Sequence, residues 1–276
     1  MPDHSDGDTN RQAKHRLDFD AYAPPQIALR IEETAVAKVA QPLGQTFTLA
    51  ILAGAFIAFG ALFYTLVLTG SPLGFGPGRL LGGIAFSLGL VLVVVGGAEL
   101  FTGNNLIVMA WADRKISARQ LLRNWAIVYF GNFVGALVVA GMVVLSGVFG
   151  LGDGTVGETA ASIASAKLDL TLTETFFRAV LCNVLVCLAI WLCFAARSVT
   201  DKIFAVILPI SAFVGLGFEH SVANMYAIPV VMMSGGAEVQ FAEFLQNLVV
   251  VTAGNIVGGG GLVALVYWLV YRVYGR

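Results

Sequence analysis

The chain has 276 residues, of which 58% are apolar and only 12% charged, with a formal net charge of −1. Soluble domains carry roughly 25% charged residues, so this composition, with a mean hydropathy of +0.83, reads as an integral membrane protein. The small net charge excludes the basic footprint of a nucleic-acid binder.

In chain order, residues 1–40 form a polar N-terminal segment. MPDHSDGDTNRQAKHR reads as disordered and lacks the apolar core of a secretory signal. IALRIEETAVAKVA is expected to be a short helix lying along the membrane surface. From 41 to 274 the chain reads as one six-helix transmembrane domain. A crossing helix needs about 20 apolar residues. Charge-free runs of 40 residues (between Lys38 and Arg79), 29 (Arg123 and Asp153), 18 (Arg178 and Arg197) and 28 (Glu243 and Arg272) supply four ordinary crossings, the first with its helix over 47–68. Two further apolar regions each carry a glutamate part-way along. They are Arg79 to Asp113, broken at Glu99, and Lys202 to Glu238, broken at Glu219. Glycines cluster at both places, Gly96, Gly97 and Gly103 in one and Gly215 and Gly217 in the other. The spacing predicts six crossings, the second and fifth interrupted. Lys and Arg then gather on one side, which places both termini in the cytoplasm.

The two breaks resemble each other. GAELFTGN (97–104) and GFEHSVAN (217–224) share G-x-E-x-x-x-x-N, and GNFVG (131–135) and GNIVG (254–258) share G-N-x-x-G. The halves, about 41–150 and 170–274, therefore form an internal repeat. An odd helix count per half makes the repeat inverted, and paired broken helices mark a transport path. Helix N-termini freed by such breaks favour anions.

His220 is the only histidine outside the N-terminal segment. It lies in a break and is the natural proton donor near neutral pH. Glu99 and Glu219 occupy equivalent places, which favours a structural role in accepting freed backbone N–H groups. Thr102 is placed to face His220 across the pseudo-two-fold axis and fix its tautomer. Asn132 and Asn255 are candidates to satisfy backbone at the breaks, and Asn183 is a further polar group in the fourth crossing. Phe86, Leu90, Leu100, Phe101 and Phe213 lie near the breaks, where apolar rings gate by excluding water. Cys182, Cys187 and Cys193 have no metal-ligand spacing and read as packing residues. No metal or cofactor is expected.

AELFTGNN (98–105), NWAIVYFGNFVGAL (124–137), CNVLVCLAIW (182–191), GFEHSVANMYAIP (217–229) and GNIVGGG (254–260) resemble the formate/nitrite transporter family, over about residues 25–274. The resemblance implies a homopentamer of aquaporin-like protomers in the cell inner membrane. Each protomer has its own pore for a small monovalent anion such as formate, nitrite or hydrosulfide. It implies that His220 is the central pore histidine and Thr102 its partner. Leu90, Leu100, Phe101, Phe213 and Phe86 become constrictions, and Asn183 and Asn255 polar pore residues. Lys167 becomes the residue that draws anions to the outer mouth. The match looks closest to formate members. A neutral-solute channel of aquaporin type would carry Asn-Pro-Ala at its breaks, and neither break does. An intramembrane enzyme would need a catalytic partner for His220 that the sequence does not offer.

Overall fold

The computed structural model describes residues 20–275, so the expected disorder over 1–16 lies outside the described residues. Helix α1 (Pro24–Ala40) begins on two prolines, which suit a first helical turn because its N–H groups have no intrahelical acceptor, and ends before Pro42. Its buried residues Ile27, Ile31, Ala35 and Val39 repeat every four positions, one helix face. That face packs on residues 106–110, on Cys187 and on Trp191.

Five helices are long and apolar enough to cross a membrane: α2 (Leu43–Leu68), α3 (Phe75–Gly96), α5 (Ala118–Leu145), α7 (Leu172–Ala195) and α10 (Phe241–Val273). After α3 the chain runs through a 3-10 turn (Gly103–Ile107) into the short α4 (Val108–Ala112). Between α5 and α7 lies α6 (Thr155–Leu168). The remaining apolar region is divided into α8 (Val199–Gly215) and α9 (Ser221–Ser234), each too short to span alone. Among the described residues five helices are thus long enough to span, where the charge pattern predicts six crossings.

Local chemistry sets these boundaries. Reciprocal caps start α5 (Ser117 with Gln120), α7 (Thr171 with Glu174) and α8 (Ser198 with Asp201), each pair satisfying two orphan N–H groups. Helix α3 stops because Gly97 takes a left-handed φ of 78°, which turns the next N–H, of Ala98, back to Val93 O at 2.9 Å. Helix α8 stops the same way: Gly217 has φ 70°, and Phe218 N–H reaches Phe213 O at 3.0 Å.

Helices α2 and α5 pack together, as do α3 and α8, and α7 and α10. Glycines make the close approaches possible. A Cβ on Gly135 would lie 1.9 Å from Ile51 O, and one on Gly258 would lie 2.1 Å from Val180 O. From Val257 helix α10 winds more loosely, in π-type turns.

Candidate functional site

Each break carries a buried glutamate held by the same set of partners. Glu99 accepts from Lys38 Nζ (3.1 Å) and Asn104 Nδ2 (2.7 Å), and Asn104 Nδ2 also donates to Asn124 Oδ1 (3.0 Å). Glu219 accepts from Lys167 Nζ (3.0 Å) and Asn224 Nδ2 (2.7 Å), and Asn224 Nδ2 donates to Asn247 Oδ1 (2.8 Å). Both carboxylates are almost fully buried, and each has an ion-pair partner. A carboxylate at membrane depth requires this, because removal from water costs several kcal/mol unless the charge is paired and hydrogen-bonded.

The backbone freed at each break is bound by an asparagine. Asn132 Nδ2 donates to Ala50 O (2.8 Å) and Glu99 O (2.9 Å), while its Oδ1 accepts Phe101 N–H (2.9 Å). Asn255 Nδ2 donates to Ala179 O (2.8 Å) and Glu219 O (3.0 Å), while its Oδ1 accepts Ser221 N–H (2.9 Å). The two asparagines spend their amides identically, so Asn255, read from the resemblance as pore-lining, occupies the backbone role that Asn132 has.

His220 breaks the symmetry. Its Nδ1 accepts Ala223 N–H (3.1 Å), which caps the start of α9, and its Nε2 lies 2.9 Å from Thr102 Oγ1. A nitrogen that accepts a backbone N–H carries no proton of its own. The network therefore assigns the proton to Nε2, which donates to Thr102. His220 stacks on Phe213 (ring centroids 5.8 Å), which meets Phe86 edge-on (5.6 Å).

Two cavities flank this arrangement. The larger, about 440 Å³, is lined by Phe86, Phe213, His220, Glu219, Lys167, Arg79 and Arg178 among others. The smaller, about 260 Å³, is lined by Leu100, Glu99, Lys38, Arg30 and Lys202 among others. They share no lining residue. Along α3 the larger cavity reaches Phe86 and the smaller begins at Val93. At 1.5 Å per residue that leaves roughly 10 Å of packed protein between them. Leu90 is buried in that interval and lines neither. Phe101 also lines neither cavity; its ring packs on Trp125 and Tyr129. Asn183 donates to Asn255 O (2.7 Å) within the helix packing.

Sequence reasoning missed Lys38, Asn104, Asn124, Asn224 and Asn247. The signals were present. Asn104 and Asn224 end the shared G-x-E-x-x-x-x-N stretch, and Asn124 and Asn247 each stand eight residues before the G-N-x-x-G asparagine. Lys38 and Lys167 each precede a Thr-Phe pair by eight residues, in KVAQPLGQTF and KLDLTLTETF. Arg79 and Arg178 carry no motif, and only the cavity brings them together.

A sequence profile described as "Formate/nitrite transporter" matches residues 25–269. The chain is 42% identical to the formate channel FocA of Escherichia coli K12, over 92% of this chain and 95% of the relative. It is also 42% identical to a probable formate transporter of Methanothermobacter thermautotrophicus, over 90% of this chain and 97% of the relative. A solved pentameric formate channel with formate bound superposes with a TM-score of 0.77 at 43% identity, covering 83% of this chain and 98% of that one. Relatives are thus named as channels or transporters, and five apolar helices make this a multi-pass membrane protein. On these matches the chain belongs to the formate/nitrite transporter family.

Proposed function

We propose that the protein is a formate channel, working as a homopentamer in the inner membrane with both termini in the cytoplasm. Its protomer has six crossings, the second formed by α3 with the 3-10 turn and α4, the fifth by α8 with α9. The halves are related by an inverted repeat, an organisation supported by the matched bonds around Glu99 and Glu219. The observation that carries the reading is the 2.9 Å contact of His220 with Thr102, buried at the edge of the larger cavity.

The anion gathers in the larger cavity and meets the Phe86–Phe213–Leu90–Leu100 zone, which is buried and apolar. Carrying a bare carboxylate through such a zone costs several kcal/mol. His220 lowers the cost by donating Nε2–H to the anion in place of Thr102. Passing on a proton needs a second proton on the ring. That proton enters at Nδ1 only by displacing Ala223 N–H, an N-cap bond worth about 1 kcal/mol. Protonation of the ring therefore couples passage to pH, and the cargo crosses the apolar zone as neutral formic acid. Lys167 acts on the anion together with Glu219, as a pair.

The test is formate flux into proteoliposomes between pH 5 and 8. The parent protein is expected to pass formate with a rate that changes across this window. His220→Asn is expected to remove that dependence while the pentamer persists. An unchanged pH profile in the variant rejects the proton-transfer role and leaves His220 as a hydrogen-bonding anchor. Nitrite and hydrosulfide, similar in size and charge, are the second reading, and flux ratios among the three anions rank them. An osmotic-shrinkage assay separates all of these from a neutral-solute pore.

A further inference from the structure

We propose that Arg79 and Arg178 form the site at which the channel first captures its cargo. Their guanidinium groups select planar oxyanions, carboxylates above all, over spherical ions of the same charge. The proposal rests on the anion-channel reading and adds the groups that meet the anion and the shape they prefer.

Three cations line the larger cavity, Arg79 from α3, Lys167 from α6 and Arg178 from α7. Lys167 is already committed, its Nζ 3.0 Å from Glu219 Oε1, so its field is largely cancelled at a distance. The arginines are different. Arg79 donates from Nε to Gly215 O (3.1 Å) and from Nη1 to Tyr64 OH (3.0 Å), and Arg178 donates from Nη1 to Gly217 O (3.4 Å). Neither forms an ion pair with a carboxylate among the described residues; the exposed Glu174, one turn before Arg178, acts on it only through space. A guanidinium has five N–H donors in a planar fork, so both keep most of theirs for a ligand. The bonds to Gly215 and Gly217 fix their orientation.

The bonds to carbonyls do not by themselves explain the arginines. Glu219 N–H bonds Arg178 O just as Glu99 N–H bonds Leu49 O, so Leu49 is the counterpart of Arg178. The matched turns Phe218 to Phe213 and Ala98 to Val93 carry Arg79 onto Val199 in the same way. The break after α3 therefore has leucine and valine, not arginine, at the two matched positions. A purely structural need would arise at both breaks. At these matched positions an arginine stands at one break only, in the cavity that His220 lines; the smaller cavity's Arg30 and Lys202 come from other positions.

The chemistry fits the cavity. About 440 Å³ accommodates a small carboxylate with several waters, each water occupying about 30 Å³. A guanidinium is more weakly hydrated than an ammonium and pairs with a carboxylate through two parallel N–H···O bonds. A spherical anion gains no such fork. Capture before the apolar zone also delivers the anion to the Phe213–His220 stack already partly dehydrated.

The experiment uses the full chain in liposomes, with formate influx measured against formate concentration at constant ionic strength. Arg178→Gln is expected to raise the half-saturating concentration roughly tenfold, the loss of one charged hydrogen bond, and Arg79→Gln with Arg178→Gln to raise it further. Maximal flux is expected to fall less than that. Replacing both arginines by lysine, which keeps charge and removes the fork, is expected to stay near the glutamine pair. Acetate is expected to inhibit the parent at lower concentration than bromide, and this preference is expected to vanish in the glutamine pair. Arg178→Gln loses a single long bond, so it keeps the test decisive if Arg79 variants fail to assemble. Half-saturation unchanged in Arg178→Gln, or full rescue by lysine, overturns the proposal. A parent protein that passes no formate instead overturns the channel reading on which the proposal depends.

Discussion

At the scale of single residues, two side chains of one type share a duty while a third stands alone. Asn132 and Asn255 each make three bonds to backbone at a break. Replacing either with alanine leaves two buried backbone groups at the break unpaired, each costing about 1–3 kcal/mol, while the third carbonyl keeps its bond within a helix. Both variants are expected to lose several degrees or more of thermal stability in detergent, read by loss of the folded oligomer on heating. His220 was legible because no other histidine lies beyond the N-terminal segment and its counterpart in the repeat is Leu100. Its bond to Ala223 N–H was not legible, because a cap depends on ring orientation. Lys38 and Lys167 escaped for another reason. Lysine near a membrane boundary looks like an ordinary topological charge, and only the fold carries each to a glutamate. Lys38→Met strips Glu99 of its cation and is expected to destabilise by about 3–5 kcal/mol. The double variant with Glu99→Gln is expected to recover part of that loss, the coupling measured by a double-mutant cycle.

At the scale of elements, glycine explains both where helices stop and how closely they meet. Gly97 and Gly217 adopt left-handed φ and end α3 and α8, which the sequence indicated by clustering glycine beside each glutamate. Gly135 and Gly258 leave no room for a methyl against Ile51 O and Val180 O. Gly135→Ala and Gly258→Ala force backbones apart and are expected to cost at least about 1–3 kcal/mol, the range for overpacking. Reduced yield of the intact oligomer on size exclusion checks this, and Gly141→Ala, with nothing within 4 Å, is the matched control expected to behave like the parent. The glycines at which α3 and α8 end followed from composition. The lengths of α8 and α9 did not, because a hydropathy run shows apolar content and not the point at which backbone hydrogen bonding changes partner.

At the scale of the whole molecule, α1 and the end of α10 are held by a cluster of charged side chains. Glu32 of α1 accepts from Arg272 Nε (3.0 Å) and from Lys115, and Arg272 Nη2 reaches Asp113 (3.2 Å). This cluster ties α1 to the end of α10 and to the turn after α4. Glu32 is fully buried, so Glu32→Ala leaves Lys115 and Arg272 sharing Asp113 alone. It is expected to expose α1, read as faster proteolysis within residues 20–41 at unchanged membrane insertion. Around the outside, Phe75, Leu145, Phe204, Leu208 and Val249 are exposed, an apolar surface suited to lipid or to neighbouring protomers. Mass measurement in mild detergent is expected to give five copies.

Composition and charge spacing alone determined that this chain enters a membrane, roughly where its helices run, where glycine ends two of them, and that one histidine is out of place. Those properties follow from the cost of burying polar groups, which is written in residue type and order. Tertiary structure decided the partners: Lys38 on Glu99, Lys167 on Glu219, Thr102 on His220, and two arginines in one cavity. A hydrogen bond acts over about 3 Å, and residues 50–120 positions apart come within that reach only once the helices have packed.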